Sequence, residues 1–102
     1  MRKIKNGKRY DTDAALEVAY FWNGLDPNDS SLLNERLYKT AKGAWFLHGS
    51  GGANTRWSEI CGYSTSRGED IVPMTSTEAL EWCEESSIYV GIIEANFEIT
   101  EA

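Results

Sequence analysis

His48, the only histidine of the chain, runs directly into Gly49-Ser50-Gly51-Gly52, and Cys61 follows thirteen residues after the histidine. A histidine and a cysteine held together form a thiolate–imidazole pair. Successive glycine N–H groups form a nest for an anion. The spacing requires neither. No third residue to orient the histidine is evident, and the glycine run lacks the Lys-Ser/Thr that follows it in a P-loop. The plainer expectations are a strand histidine beside Trp45-Phe46-Leu47 and a bulged or flexible end to that strand. Cys61 and Cys83, far apart and in no metal-like spacing, read as two reduced thiols. No cofactor or metal is expected.

Carboxylates are the more numerous candidates. Residues 1–56 hold nine Lys/Arg against six Asp/Glu, a net of +3, whereas residues 57–102 hold one against ten, a net of −9. After Arg67 there is no basic side chain, and nine acids follow: Glu69, Asp70, Glu78, Glu81, Glu84, Glu85, Glu94, Glu98 and Glu101. Such a surface repels nucleic acid and suits a basic partner. Glu78, Glu81, Glu84 and Glu85 are the expected partner-binding row, with Glu69 and Asp70 as a second patch. No calcium-loop pattern accompanies them. Five cations, Arg2, Lys3, Lys5, Lys8 and Arg9, gather at the opposite end of the chain. Only Ile4 and Tyr10 interleave with them, so the stacking platform of a single-strand binder is missing and direct nucleic-acid binding is not expected.

The elements that must position these residues are legible in part. Asn6-Gly7 is a two-residue hairpin turn between charged strands. Asp11-Thr12-Asp13 offers a helix start, and Asn23-Gly24 a stop, which predicts a helix over residues 12–22. The run Val18 to Trp22 is also compatible with a strand. Leu25 to Ser31 is a loop. A central hairpin over about residues 33–40 and 44–49 turns at Lys42-Gly43. Residues 53–67 read as a third strand with Trp57 and Cys61 in phase, or as a helical turn before a polar loop. Ile71-Val72 reads as a strand end stopped by Pro73.

Thr75-Ser-Thr-Glu78 is a capping box with Met74 and Ala79 placed as a staple, opening a helix over residues 75–86. Its predicted inward stripe is Ala79, Leu80, Cys83 and Ser87, with Trp82 at the margin. Ile88, Ile92, Ile93 and Phe97 stand near helical spacing and predict a second short helix, while Gly91 and the branched residues also allow a strand. With 102 residues, 41% hydrophobic content and four tryptophans, the chain fits a single domain with a real core. No run reaches the length of a membrane span, the N-terminus lacks the apolar core of a signal peptide, and a cytoplasmic protein is expected.

Lys8-Arg-Tyr-Asp-Thr12, then Leu37-Tyr-Lys-Thr-x-x-Gly-x-Trp-Phe-Leu-x-Gly-x-Gly-Gly52, resembles a group of small proteins scattered through bacterial, prophage and plasmid genomes. Ile71-Val-Pro-Met74 before Glu78-Ala-Leu-Glu-Trp82 extends the resemblance over most of residues 4–85, while the segment from Ile88 departs from it. The resemblance transfers no catalytic residue. It implies a mobile-element setting in a bacterial host, where small acidic proteins often inhibit host defence, anti-CRISPR proteins among them.

The sequence thus predicts an α+β single domain, an antiparallel sheet of hairpins with two or three covering helices. The expected function is non-enzymatic: an acidic, phage-type inhibitor that docks on a basic surface of a host protein or ribonucleoprotein complex and blocks nucleic-acid access, without a membrane. Two other readings stay open. One is a small ligand-binding or catalytic domain built on Gly49–Gly52 and His48. The other is a nucleic-acid module using the basic ribbon.

Overall fold

The computed structural model describes residues 1–102. Its frame is the predicted central hairpin, β4 (Leu33–Lys39) and β5 (Trp45–Gly51), paired from Leu33↔Gly51 to Lys39↔Trp45. Gly43 takes φ +87° at the turn, a left-handed conformation that suits glycine. The earlier hairpin is also present: β1 (Arg2–Lys5) and β2 (Lys8–Asp11) flank Asn6 and Gly7, both at positive φ. It forms a separate two-stranded sheet rather than part of the main one.

The helix predicted over residues 12–22 is instead a turn and a strand, β3 (Leu16–Trp22). Asp11 Oδ1 accepts from the Asp13 N–H in a local turn and does not cap a helix. Val18 to Trp22 is β-branched and aromatic, and β4 would be an edge without a neighbour on that side. Sheet pairing outweighs the local helix signal. β3 pairs antiparallel with β4, with a bulge between Glu17 and Ala19.

On the other side of β5 lies β8 (Gly68–Met74), so the main sheet runs β3-β4-β5-β8, antiparallel throughout. Pro73 does not stop this strand. It pairs opposite Phe46 on an edge, where a missing N–H is tolerated. Residues 53–67 are neither a strand in phase nor a helix. They form turns and a small hairpin, β6 (Glu59–Cys61) and β7 (Ser64–Ser66).

Helix α1 (Ser76–Glu85) opens on the predicted capping box: the Thr75 hydroxyl accepts from the Glu78 N–H, and Glu78 Oε1 accepts from the Thr75 N–H. Its buried residues are Ala79, Trp82 and Cys83. Trp82 is therefore central rather than marginal. Ser87 lies beyond the helix at φ +54° and is exposed. Helix α2 (Val90–Asn96) follows, and Ile88, Ile92, Ile93 and Phe97 pack against the core, with Phe97 stacked on Trp45 at 4.8 Å.

The two helices and the Trp57 loop thus bury one sheet face through Ala19, Leu37, Trp45 and Leu47. A smaller cluster forms on the other face, where Tyr10 of the β1–β2 hairpin meets Phe46 edge-on and Tyr38 stacks on Phe46 at 5.1 Å. The fold is α+β, with one antiparallel sheet covered by helices on one side. No helix is long and apolar enough to cross a membrane.

Candidate functional site

The glycine run is a packing device. A Cβ on Gly49 would lie 1.9 Å from the Trp57 ring, and one on Gly52 would lie 2.3 Å from the Ser30 carbonyl oxygen. Gly49 and Gly51 sit within the β5 ladder, and the Gly52 N–H donates to Leu32 O. The segment does not end the strand loosely, and its place between β4 and β8 directs the N–H groups of Gly49 and Gly51 to neighbouring strands rather than to a shared anion.

His48 Nε2 lies 2.9 Å from Glu69 Oε2 across β5 and β8. Cys61, exposed on β6, is 3.7 Å from Ser66 Oγ. No hydrogen bond joins His48 to Cys61. Cys83 is buried beneath α1, and burial together with the Glu84 charge pushes its thiol up to about 11, which disfavours the reactive thiolate. No group of three or more His, Cys, Asp or Glu is arranged to hold a metal ion.

The Trp57 ring that Gly49 makes room for serves a buried carboxylate. Glu35, 3% exposed, faces the helical side of the sheet from β4. Its Oε2 accepts from Trp57 Nε1 at 2.7 Å and from Arg56 Nε at 2.7 Å, with the Arg56 terminal nitrogen also bonded, and its Oε1 accepts from Trp82 Nε1 at 2.8 Å. One carboxylate joins the sheet, the 53–58 loop and α1. Every buried side-chain polar atom has a partner. Sequence reading passed over this residue. The signal was its phase, since Leu33, Glu35 and Leu37 must share one face of a strand.

The predicted partner-binding residues divide into two groups. Glu78, Glu81, Glu84 and Glu85 are all exposed on the outer side of α1, and none forms an ion pair. Glu69 and Asp70 do not join them in a patch. As neighbours on a strand they point to opposite faces, and each has a partner already. Glu69 holds His48, while Asp70 lies 3.3 Å from Lys5 Nζ and 3.8 Å from Lys3 Nζ. Burial works to raise the Asp70 carboxyl, but the Ile71 N–H and the Lys5 and Lys3 ammoniums outweigh it and hold it below the usual carboxylate range. Two cations of the N-terminal ribbon are therefore engaged within the molecule.

A third surface was hidden by the misread helix. On the sheet face opposite α1, Tyr20 and Trp22 stand exposed, and a cleft of ≈ 800 Å³ lies beside them, floored by Asn34 and Ser50 and rimmed by Arg67 and Glu69. Tyr20 Oη donates to Asn34 Oδ1 at 2.7 Å, and the Arg36 guanidinium lies 4.0 Å from the Tyr20 ring centre. The β-branched and aromatic run from Val18 to Trp22 was the available signal.

Comparison with protein-family models, curated proteins and solved structures found no match.

Proposed function

We propose that this protein is a non-enzymatic binding protein, an acidic inhibitor that docks on a basic surface of a nucleic-acid-handling host complex and blocks nucleic-acid access, in the manner of an anti-CRISPR protein. The observation that carries the reading is the outer side of α1, where Glu78, Glu81, Glu84 and Glu85 are exposed and form no ion pair, on a helix whose other side is locked into the core. A row of like charge on a rigid support speeds encounter with an opposite charge and loses strength as salt screens it. The resemblance to mobile-element proteins supports the choice of a host complex as partner.

The test is capture of the partner from bacterial host lysate, followed by kinetics with Glu81, Glu84 and Glu85 changed together to Lys. Glu78 is left alone because it closes the capping box. The triple variant is expected to associate about tenfold or more slowly at low salt, with its fold intact. Association as fast as the parent, insensitive to salt, would refute the mechanism.

A further inference from the structure

β3 is the open edge of the main sheet, since its one partner is β4. The opposite edge is guarded: β8 carries Pro73, and Lys3 and Lys5 of the N-terminal hairpin close on Asp70. β3 has no such guard. Its sequence, Leu-Glu-Val-Ala-Tyr-Phe-Trp, has one charge in seven residues and no proline.

The ladder fixes which backbone groups are unused. The Asn23 N–H donates to Leu33 O, so residues in phase with Asn23, namely Phe21 and Ala19, direct their N–H and C=O toward β4. By alternation, Tyr20 and Trp22 direct theirs away from the sheet. No turn, loop or side-chain hydrogen bond occupies them. The same two residues carry the exposed aromatic rings, 42% and 52% accessible, beside the sheet-face cleft. Unused backbone donors and acceptors thus lie next to rings able to receive alternate side chains of an added strand.

Charge selects the occupant. Residues 11–29, which span β3 and both of its ends, contain Asp11, Asp13, Glu17, Asp26 and Asp29 and no Lys or Arg. Glu17 is paired, with Arg36 at 2.8 Å, and that guanidinium also lies over the Tyr20 ring, whereas Asp11, Asp13, Asp26 and Asp29 have no ion-pair partner; Arg67 donates to Pro27 O, and Lys39 sits over the Trp45 ring. A second copy of this chain would bring the same acids against each other, on molecules of net charge −6.

We propose that the β3 edge is a strand-addition site for an extended, lysine- or arginine-bearing segment of a partner protein, which pairs with the backbone of Tyr20 and Trp22 and rests its side chains on their rings. This goes beyond the docking role of α1. The two surfaces are on different elements and fail separately.

The test uses the full chain labelled with ¹⁵N and a blocked octapeptide of alternating lysine and valine, with the glutamate–valine peptide as its counterpart. In the free chain the Tyr20 and Trp22 amides exchange quickly with deuterium. Saturating lysine peptide is expected to slow both by at least about tenfold, and the glutamate peptide to bind about tenfold or more weakly. Tyr20→Pro removes one outward N–H while sparing the β4 ladder, and Trp22→Lys repels the same peptide. Each is expected to weaken binding about tenfold or more, and the second stands if the first does not fold.

Unchanged exchange at saturation, or variants that bind like the parent, would overturn the proposal. Resonance shifts confined to α1 would overturn it and leave the α1 reading standing. Protected Tyr20 and Trp22 amides in a free chain that sediments as a dimer would assign the edge to a second copy and overturn it as well.

Discussion

Replacing Glu35 by Gln tests whether the buried carboxylate organises the fold. Two indole N–H groups and the Arg56 guanidinium converge on it, at 2.7–2.8 Å for the Nε1 and Nε contacts. Glutamine retains one acceptor oxygen but turns an NH₂ toward donors, so at least one indole loses its partner whichever way the amide lies, and the guanidinium loses its counter-charge. Hydrogen bonds to a charged group contribute about 1.5–3 kcal/mol each, and here one is lost outright while the others lose their charge assistance. The expected loss is therefore about 3–5 kcal/mol, a large part of the ~5–15 kcal/mol that stabilises a domain of this size. At about 4–8 °C per kcal/mol, Tm falls by at least ~12 °C. Far-UV circular dichroism in urea and on heating measures this without relying on tryptophan emission. Trp57→Phe and Trp82→Phe, each deleting one donor, should cost less singly and prove non-additive with Glu35→Gln by about 0.5–3 kcal/mol. A Tm drop below ~4 °C for Glu35→Gln, or full additivity in both cycles, would refute the reasoning.

Three further outcomes are expected. Gly49→Ala must displace the Trp57 ring that its Cβ would meet at 1.9 Å, and should destabilise the chain by about 1–3 kcal/mol in urea titration, whereas Ser50→Ala in the same strand changes little. Thr75→Ala should cost about 0.5–2 kcal/mol through loss of the capping bond, seen as a lower urea midpoint with unchanged slope. Burial raises the Cys83 thiol from 9.0 to about 11, so the unfolded chain ionises first and stability present below pH 9.0 is lost as pH climbs through about 11. Burial and the Glu17 charge raise Tyr38 as well, and its loss adds above pH 10.0. A melting series over this range should fall less steeply for Cys83→Ala than for the parent.

Local signals read correctly wherever one short motif decided the geometry. Asn6-Gly7, Lys42-Gly43 and Thr75-Ser-Thr-Glu78 each act within four residues, and each forms as its chemistry dictates. Residues 12–22 failed because their caps are local and their pairing is not. Nothing within that segment says that β4, which begins eleven residues past its end, offers an unpaired edge. The glycine run failed for a related reason. Its shape is set by Trp57, Thr55 and Ser30, and no period in Gly49–Gly52 reveals what will press on it. Glu35 was legible in principle. Its in-phase position between Leu33 and Leu37 demanded burial, and burial demanded donors, which four tryptophans and five arginines were available to supply.

The charge asymmetry of the sequence acquires a different meaning once folded. The cationic N-terminus and the acidic C-terminal half do not form opposite poles, because Lys3 and Lys5 close on Asp70 and thereby fix the β1–β2 hairpin over β8. Exposed ion pairs of this kind contribute little energy, but they decide which acids remain for a partner. Those on α1 remain, since no cation of the chain reaches them. They also stand apart from what holds the helix, because Ala79, Trp82 and Cys83 bind it to the sheet and only Glu78 has a structural duty. Glu81, Glu84 and Glu85 are thus free to be reversed without touching the core. Loss of partner association in that variant would report on docking, and loss of Tm would report that the helix depends on its outer face after all.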